Sequence, residues 1–99
     1  MTVLDTNIVI YFLEGRLSDP LPNDGLQVSI ISEIELLSHP SLETTSEAII
    51  REFLGSVEMI GLSASIKEAA ILLRRQHRLT IPDAIIAATA LTAKAELLT

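Results

Sequence analysis

Three acidic residues stand where carboxylate chemistry could be done. Asp5 closes the first apolar run of the chain and opens the first helical pattern. Glu35 falls in the first turns of the helical pattern after the second apolar run, and Asp83 falls in the first turn of an Ala-rich helical pattern near the C-terminus. In an open parallel sheet, strand carboxyl ends and helix amino ends share one edge, and ligands bind along it. Three carboxylates gathered there repel one another unless a cation joins them. Hard oxygen donors of this kind suit Mg²⁺ or Mn²⁺. The arrangement would suit metal-assisted attack of water on a phosphodiester.

Each acid also has a plainer use. Asp5 can act as a simple N-cap, while Ser32 with Glu35, and Thr80 with Asp83, have capping-box spacing. Acids at helix amino ends are favoured by the macrodipole in any case. Glu33 competes with Glu35. The two lie about 200° apart on a helix, so only one can face a cleft, and periodicity does not choose between them. The one dense positive patch is Arg74, Arg75, Gln76, His77 and Arg78. It could guide a phosphate backbone or merely complement a helix C-terminus. His77 reads as a packed or solvent-edge residue and His39 as a helix-end residue. Nothing forms a Ser/His/Asp set, and there is no glycine-rich phosphate loop.

The elements that must position these residues alternate in type. Residues 1–4 read as a buried strand, and residues 6–14 as a helix stopped by Gly15. Turn formers fill 16–25. A second strand over 28–31 runs into a helix ended by Pro40. Residues 44–54 read as a helix with a capping box in Thr44 and Glu47, stopped by Gly55, and 57–62 as a third strand. Ser63 caps a helix carrying Ile66, Ala69, Ala70 and Leu73 at i, i+3, i+4, i+7. Pro82 opens a helix that is apolar nearly all round and therefore buried, and 96–99 returns to strand character. The expectation is an α/β fold, three layers α/β/α around a short parallel sheet, forming a single domain over 1–99.

Composition narrows the function classes. The 99 residues are 48% hydrophobic with only three aromatic side chains, so the core is aliphatic. The mean hydropathy of +0.46 suggests apolar surface left over for a partner. Seven Lys and Arg against 13 Asp and Glu give a net charge of −6. That argues against nonspecific duplex-DNA binding through a basic groove, but not against a nucleic-acid enzyme whose cations are metals. Without cysteine there is no disulfide, thiolate zinc site or cysteine nucleophile. The longest charge-free apolar stretch, about 84–93, is far short of a membrane span. No signal-peptide pattern opens the chain, so a cytoplasmic, soluble protein is expected.

Three strings together resemble the signatures of PIN domains, most closely the bacterial toxin ribonucleases of VapC type. They are Leu4-Asp5-Thr6-Asn7-Ile8-Val9-Ile10, the string 28–37 ending in Glu35-Leu36-Leu37, and Pro82-Asp83-Ala84-Ile85-Ile86-Ala87-Ala88-Thr89-Ala90-Leu91. They occur in the right order and the similarity covers essentially the whole chain. The resemblance implies a Mg²⁺- or Mn²⁺-dependent endoribonuclease with Asp5, Glu35 and Asp83 as the metal-binding, catalytic acids. The family's acid directly precedes Leu-Leu, which selects Glu35 over Glu33. Asn7 matches the small polar position of the first motif and would assist behind the acids; Arg74, Arg75 and Arg78, from the basic patch rather than the resemblance, are the candidates for a weak RNA contact. An antitoxin protein would cover the cleft and the apolar flank, and a homodimer is implied.

The chain also departs from the pattern. The segment between Asp5 and Glu35 leaves no room for the extra helix that many relatives place there. The family's fourth acid normally follows a few residues after the position of Thr99, so the domain is expected to lack the family's C-terminal end. The competing reading is a catalytically weak or inactive PIN module that binds a protein or RNA partner. A small-molecule or response-regulator-like α/β module would require the three acids to diverge in space.

Overall fold

The computed structural model describes residues 1–99. Four short strands, β1 (Thr2–Leu4), β2 (Leu26–Ser29), β3 (Glu58–Ile60) and β4 (Glu96–Leu98), form one parallel sheet in the order β3-β2-β1-β4. Five helices connect them: α1 (Thr6–Leu13), α2 (Ile30–Leu37), α3 (Thr44–Leu54), α4 (Ala64–Gln76) and α5 (Ile81–Ala93). The chain builds outward from β1 to β3, then returns through α4 and α5 to add β4 on the other side of β1. This is the expected α/β fold with a parallel sheet. The reversal of strand order falls between β1 and β4.

Alternation along the strands separates the two faces. Leu4 and Val28 pack with Ile8 and Val9 of α1, Leu36 of α2 and Leu54 of α3. Val3, on the opposite face, packs on Ile86 and Ala90 of α5. Fully burying an aliphatic side chain of this size contributes about 1.5–3 kcal/mol relative to leaving it exposed. Outside α5 lies α4, where Ile66 and Ala70 meet Ala84, Ile85 and Ala88. Small residues at that contact let the two helices approach closely. Helix α5 spends most of its apolar surface here, and of its large aliphatic residues only Ile81 and Leu91 remain well exposed.

The apolar surplus implied by composition therefore lies elsewhere. Ile10, Leu13, Leu36, Ile49 and Ile50 line a groove of about 210 Å³ between α1, α2 and α3. Leu62, Ile71 and Ile81 flank a second of about 200 Å³ between α4 and α5. No helix is long and apolar enough to cross a membrane.

Two expected caps are corrected by the structure. Helix α2 starts at Ile30, and Ser29 rather than Ser32 accepts from the Ile31 N–H. Ser29 pairs with Ile60 in the sheet, and that pairing holds the strand-to-helix switch one turn earlier than the Ser32–Glu35 spacing suggests. Helix α3 is capped by Glu43 without a side-chain bond, and Glu47 takes the Arg51 guanidinium instead of closing a box with Thr44. At the end of α1, Gly15 adopts φ +70°, a conformation glycine takes without a Cβ clash.

Candidate active site

Asp5 follows β1 with no intervening loop. Its backbone N–H donates to Leu98 O at 2.9 Å, which ties it to β4. Its carbonyl accepts from Ile8 and Val9, the first bonds of α1. Its Oδ1 accepts from the Thr6 N–H at 2.7 Å, and the backbone is extended, as an N-cap requires. Three sets of bonds thus hold the residue at the junction of β1, β4 and α1. The second carboxylate oxygen takes no hydrogen bond from the protein.

Asp83 reaches the same place from α5. Thr80 caps that helix, its hydroxyl accepting from the Asp83 N–H at 3.2 Å, and Pro82 fits the first turn, where its missing N–H costs nothing. The exposed Asp83 faces a cleft of about 320 Å³ together with Asp5 and Asn7, walled by Leu79 and Ile86 and closed at one end by Thr99. The cleft opens where β1 and β4 diverge into their following segments. That is the switch point at which open α/β sheets bind ligands.

Glu35 is placed differently. It is exposed on the second turn of α2 and does not line the cleft itself. Its Oε1 accepts from the Thr6 hydroxyl at 2.7 Å, and Ser32 Oγ lies 2.8 Å from the same hydroxyl. Glu33 turns the other way, toward Arg51, Leu54, Gly55 and Met59. The helix phase therefore separates the two glutamates that periodicity could not. The capping reading of Glu35 fails, because Ser32 is interior to α2 and buried. Thr6 and Ser32 had no role in the sequence reading beyond a cap for Ser32. The available signal was their placement, one beside Asp5 and the other three residues before Glu35.

The electrostatics of this edge are one-sided. The ion pairs of the chain are Met1 amine–Asp24, Arg16–Glu14, Arg51–Glu47 and Lys67–Glu68, and none involves Asp5, Glu35 or Asp83. Three of the four unpaired cations, Arg74, Arg75 and Arg78, sit at the turn from α4 to α5. Arg74 Nε donates to Leu79 O at 3.1 Å, which fastens the basic turn to a wall of the acidic cleft.

The donor chemistry fits a hard divalent ion, because Asp5 and Asp83 offer carboxylate oxygens to one cleft with no protein cation beside them. As they stand, no three acidic or histidine side chains are close enough to share an ion. Thr6 holds Glu35 one hydrogen bond away from the helix that carries Asp5.

The PIN domain family model matches residues 2–99, so the chain belongs to the PIN domain family. It is similar to a chain of a toxin–antitoxin complex from Klebsiella pneumoniae, with 31% identity and a TM-score of 0.83 over 100% of this chain and 85% of that one. It shares its fold with a chain of VapBC2 from Rickettsia felis, solved with a DNA fragment of the promoter. There the identity is 23% and the TM-score 0.82, over 99% of this chain and 86% of that one. A chain of FitAcB from Neisseria gonorrhoeae gives 20% identity and a TM-score of 0.70, over 100% and 86% of the two chains. No curated protein matches the sequence.

Proposed function

We propose that this PIN domain is a metal-dependent endoribonuclease and the toxin of a toxin–antitoxin pair. The observation that carries the reading is the pair of carboxylates, Asp5 and Asp83, facing one cleft at the β1–β4 switch point with no protein cation beside them. The likeness to a chain of a solved toxin–antitoxin complex at 31% identity supports it.

Asp5 and Asp83, with Glu35 as the third acid, would hold Mg²⁺ or Mn²⁺. The ion would lower the pKa of a bound water and offset the charge that develops on the phosphate. The protein's own residues do the rest. Asn7 presents an amide to the cleft, able to orient water or a phosphate oxygen. Arg75 and Arg78 attract flanking phosphates, with Arg74 bracing their turn. The apolar walls Leu79 and Ile86 limit the water around the reacting group.

The antitoxin would seat an amphipathic segment in the groove between α1, α2 and α3, and a homodimer would cover apolar surface elsewhere. Such a protein would work in the cytoplasm. Residues 1–99 would act as one PIN-like unit.

The test is cleavage of a single-stranded RNA with Mg²⁺ or Mn²⁺, with excess EDTA, and with Asp5→Asn. Metal-dependent cleavage lost in the other two samples supports the reading. A second reading, a catalytically weak module that binds RNA or protein, is favoured by the absence of a third donor near the other two. It predicts RNA binding without turnover.

A further inference from the structure

The hydroxyl of Thr6 joins two parts of the site that otherwise do not touch. It lies 2.7 Å from Glu35 Oε1 and 2.8 Å from Ser32 Oγ. A hydroxyl has one hydrogen to give, and an ionised carboxylate can only accept. The Thr6 hydrogen therefore goes to Glu35, and the Ser32 hydrogen goes to Thr6. The order of the chain is set: Ser32 donates to Thr6, and Thr6 donates to Glu35.

The placement explains why both hydroxyls are needed. Ser32 and Glu35 are three residues apart on α2 and so share a face, and one side chain from α1 can meet both. Thr6 is the first residue of α1, so its N–H has no helical partner and goes to Asp5 instead. One residue thus touches Asp5 through its backbone and Glu35 through its side chain. Ser32 is fully buried, so water is not available to replace it. An exposed glutamate with three rotatable bonds would otherwise sample many rotamers.

We propose that Thr6, backed by Ser32, is a positioning residue that fixes the Glu35 side chain beside the start of α1, so that the third acid of the proposed site is held in one rotamer rather than many. This rests on the nuclease reading above for its consequence, but not for its geometry.

The test uses Thr6→Val, which keeps the shape and removes the hydroxyl, Thr6→Ser, which keeps the hydroxyl, and Ser32→Ala. Two readouts separate the position of Glu35 from its use. The first is the ¹³C resonance of the Glu35 carboxyl in metal-free protein, and the second is the Mn²⁺ dissociation constant by calorimetry. Thr6→Val is expected to shift the Glu35 resonance and weaken Mn²⁺ binding by about 10–100-fold, the usual effect of losing a partner that orients a metal ligand. Ser32→Ala should move both readouts the same way by less, and Thr6→Ser should restore both. A Glu35 resonance unmoved by Thr6→Val and Ser32→Ala overturns the proposal, as does a Thr6→Ser protein as impaired as Thr6→Val. Should wild type bind no Mn²⁺ and cleave no RNA, the nuclease reading fails and the carboxyl resonance alone decides the positioning role. If Thr6→Val does not fold, Ser32→Ala and Thr6→Ser carry the comparison.

Discussion

The two ends of β1 carry the same pairing of a threonine hydroxyl with a carboxylate, in opposite electrostatic settings. At the amino end, Thr2 Oγ1 donates to Asp24 Oδ1 at 3.1 Å, and the Met1 amine sits 3.2 Å from Asp24 Oδ2. The amine and the Thr2 hydroxyl hold the Asp24 carboxyl below the usual aspartate range. At the carboxyl end, Thr6 donates to Glu35 and no cation answers Glu35, Asp5 or Asp83. One end is neutralised locally and fastens the loop before β2 to the start of β1. The other leaves Asp5 and Asp83 facing one cleft without an ion-pair partner. The contrast therefore sets a locally paired acid apart from acids left unpaired, which is where the proposed function would use them.

The largest expected effect breaks the contrast at its functional end. Asp5→Asn keeps the shape and a cap of about equal strength, so the metal-free melting temperature should hold. On the proposed reading, metal-stimulated RNA cleavage should fall by about 100-fold or more, because a ligand of the ion would be lost rather than a supporting group. Paired melts and cleavage assays check this. A variant that melts lower and still cleaves would make Asp5 another structural acid.

A second test addresses the strand both ends share. Leu4 is fully buried at the centre of the core beside Ile8, Val9 and Val28. Leu4→Ala should cost about 2–5 kcal/mol, read as a fall in urea midpoint at unchanged slope. If the cleft were held by α5 and β4 alone, Mn²⁺ affinity measured below the transition would survive unaltered. Because Asp5 is fixed through β1, that affinity should weaken as well.

The third expectation concerns the basic turn beside the cleft. Arg74 is left in place because it also braces Leu79. Removing Arg75 and Arg78 together should lower the slope of log affinity against log salt by about 1.4, two contacts at about 0.7 each for a single strand. Binding of a short RNA to Asp5→Asn protein across a salt series measures it. An unchanged slope would show that these arginines only complement the end of α4.

The architecture and the two aspartates were legible because each rests on a local rule. Short apolar runs alternating with helices imply a parallel sheet, and Asp5 and Asp83 sit at strand-to-helix and loop-to-helix junctions whatever the tertiary detail. Helix periodicity alone could not choose between Glu33 and Glu35, and only the resemblance to a family motif did. The choice depends on where α2 begins, and the string Ser29-Ile30-Ile31-Ser32 offers two serines able to cap it. Pairing of Ser29 with Ile60 across the sheet and burial of Ser32 against Thr6 decide between them, and both are long-range contacts. The location of the spare apolar surface was hidden for a similar reason. Helix α5 reads as the apolar excess, but α4 and the sheet cover most of it, and one of the two open grooves lies between α1, α2 and α3, helices of mixed composition.

The smallest expected effect lies at the neutralised end and tests whether it is merely structural. Asp24 has its carboxyl pKa lowered in the folded protein, by the amino terminus first and the Thr2 hydroxyl next. The unfolded chain therefore binds the proton more readily than the folded one, so this group's stabilisation is present above the unfolded pKa. It is lost as pH falls through the lower, folded value. Wild type should melt slightly above Asp24→Asn at neutral pH, and the two curves should converge in acid. The pair is exposed, so the difference should also shrink with added salt. The measurement is the melting difference between the two proteins across an acidic pH series, at low and at molar salt. Mn²⁺ should leave that difference unchanged, because the proposed ion site lies at the opposite end of β1. A difference that grows with Mn²⁺ would mean the two ends are coupled through the strand, and the division between a structural and a functional acid would no longer hold.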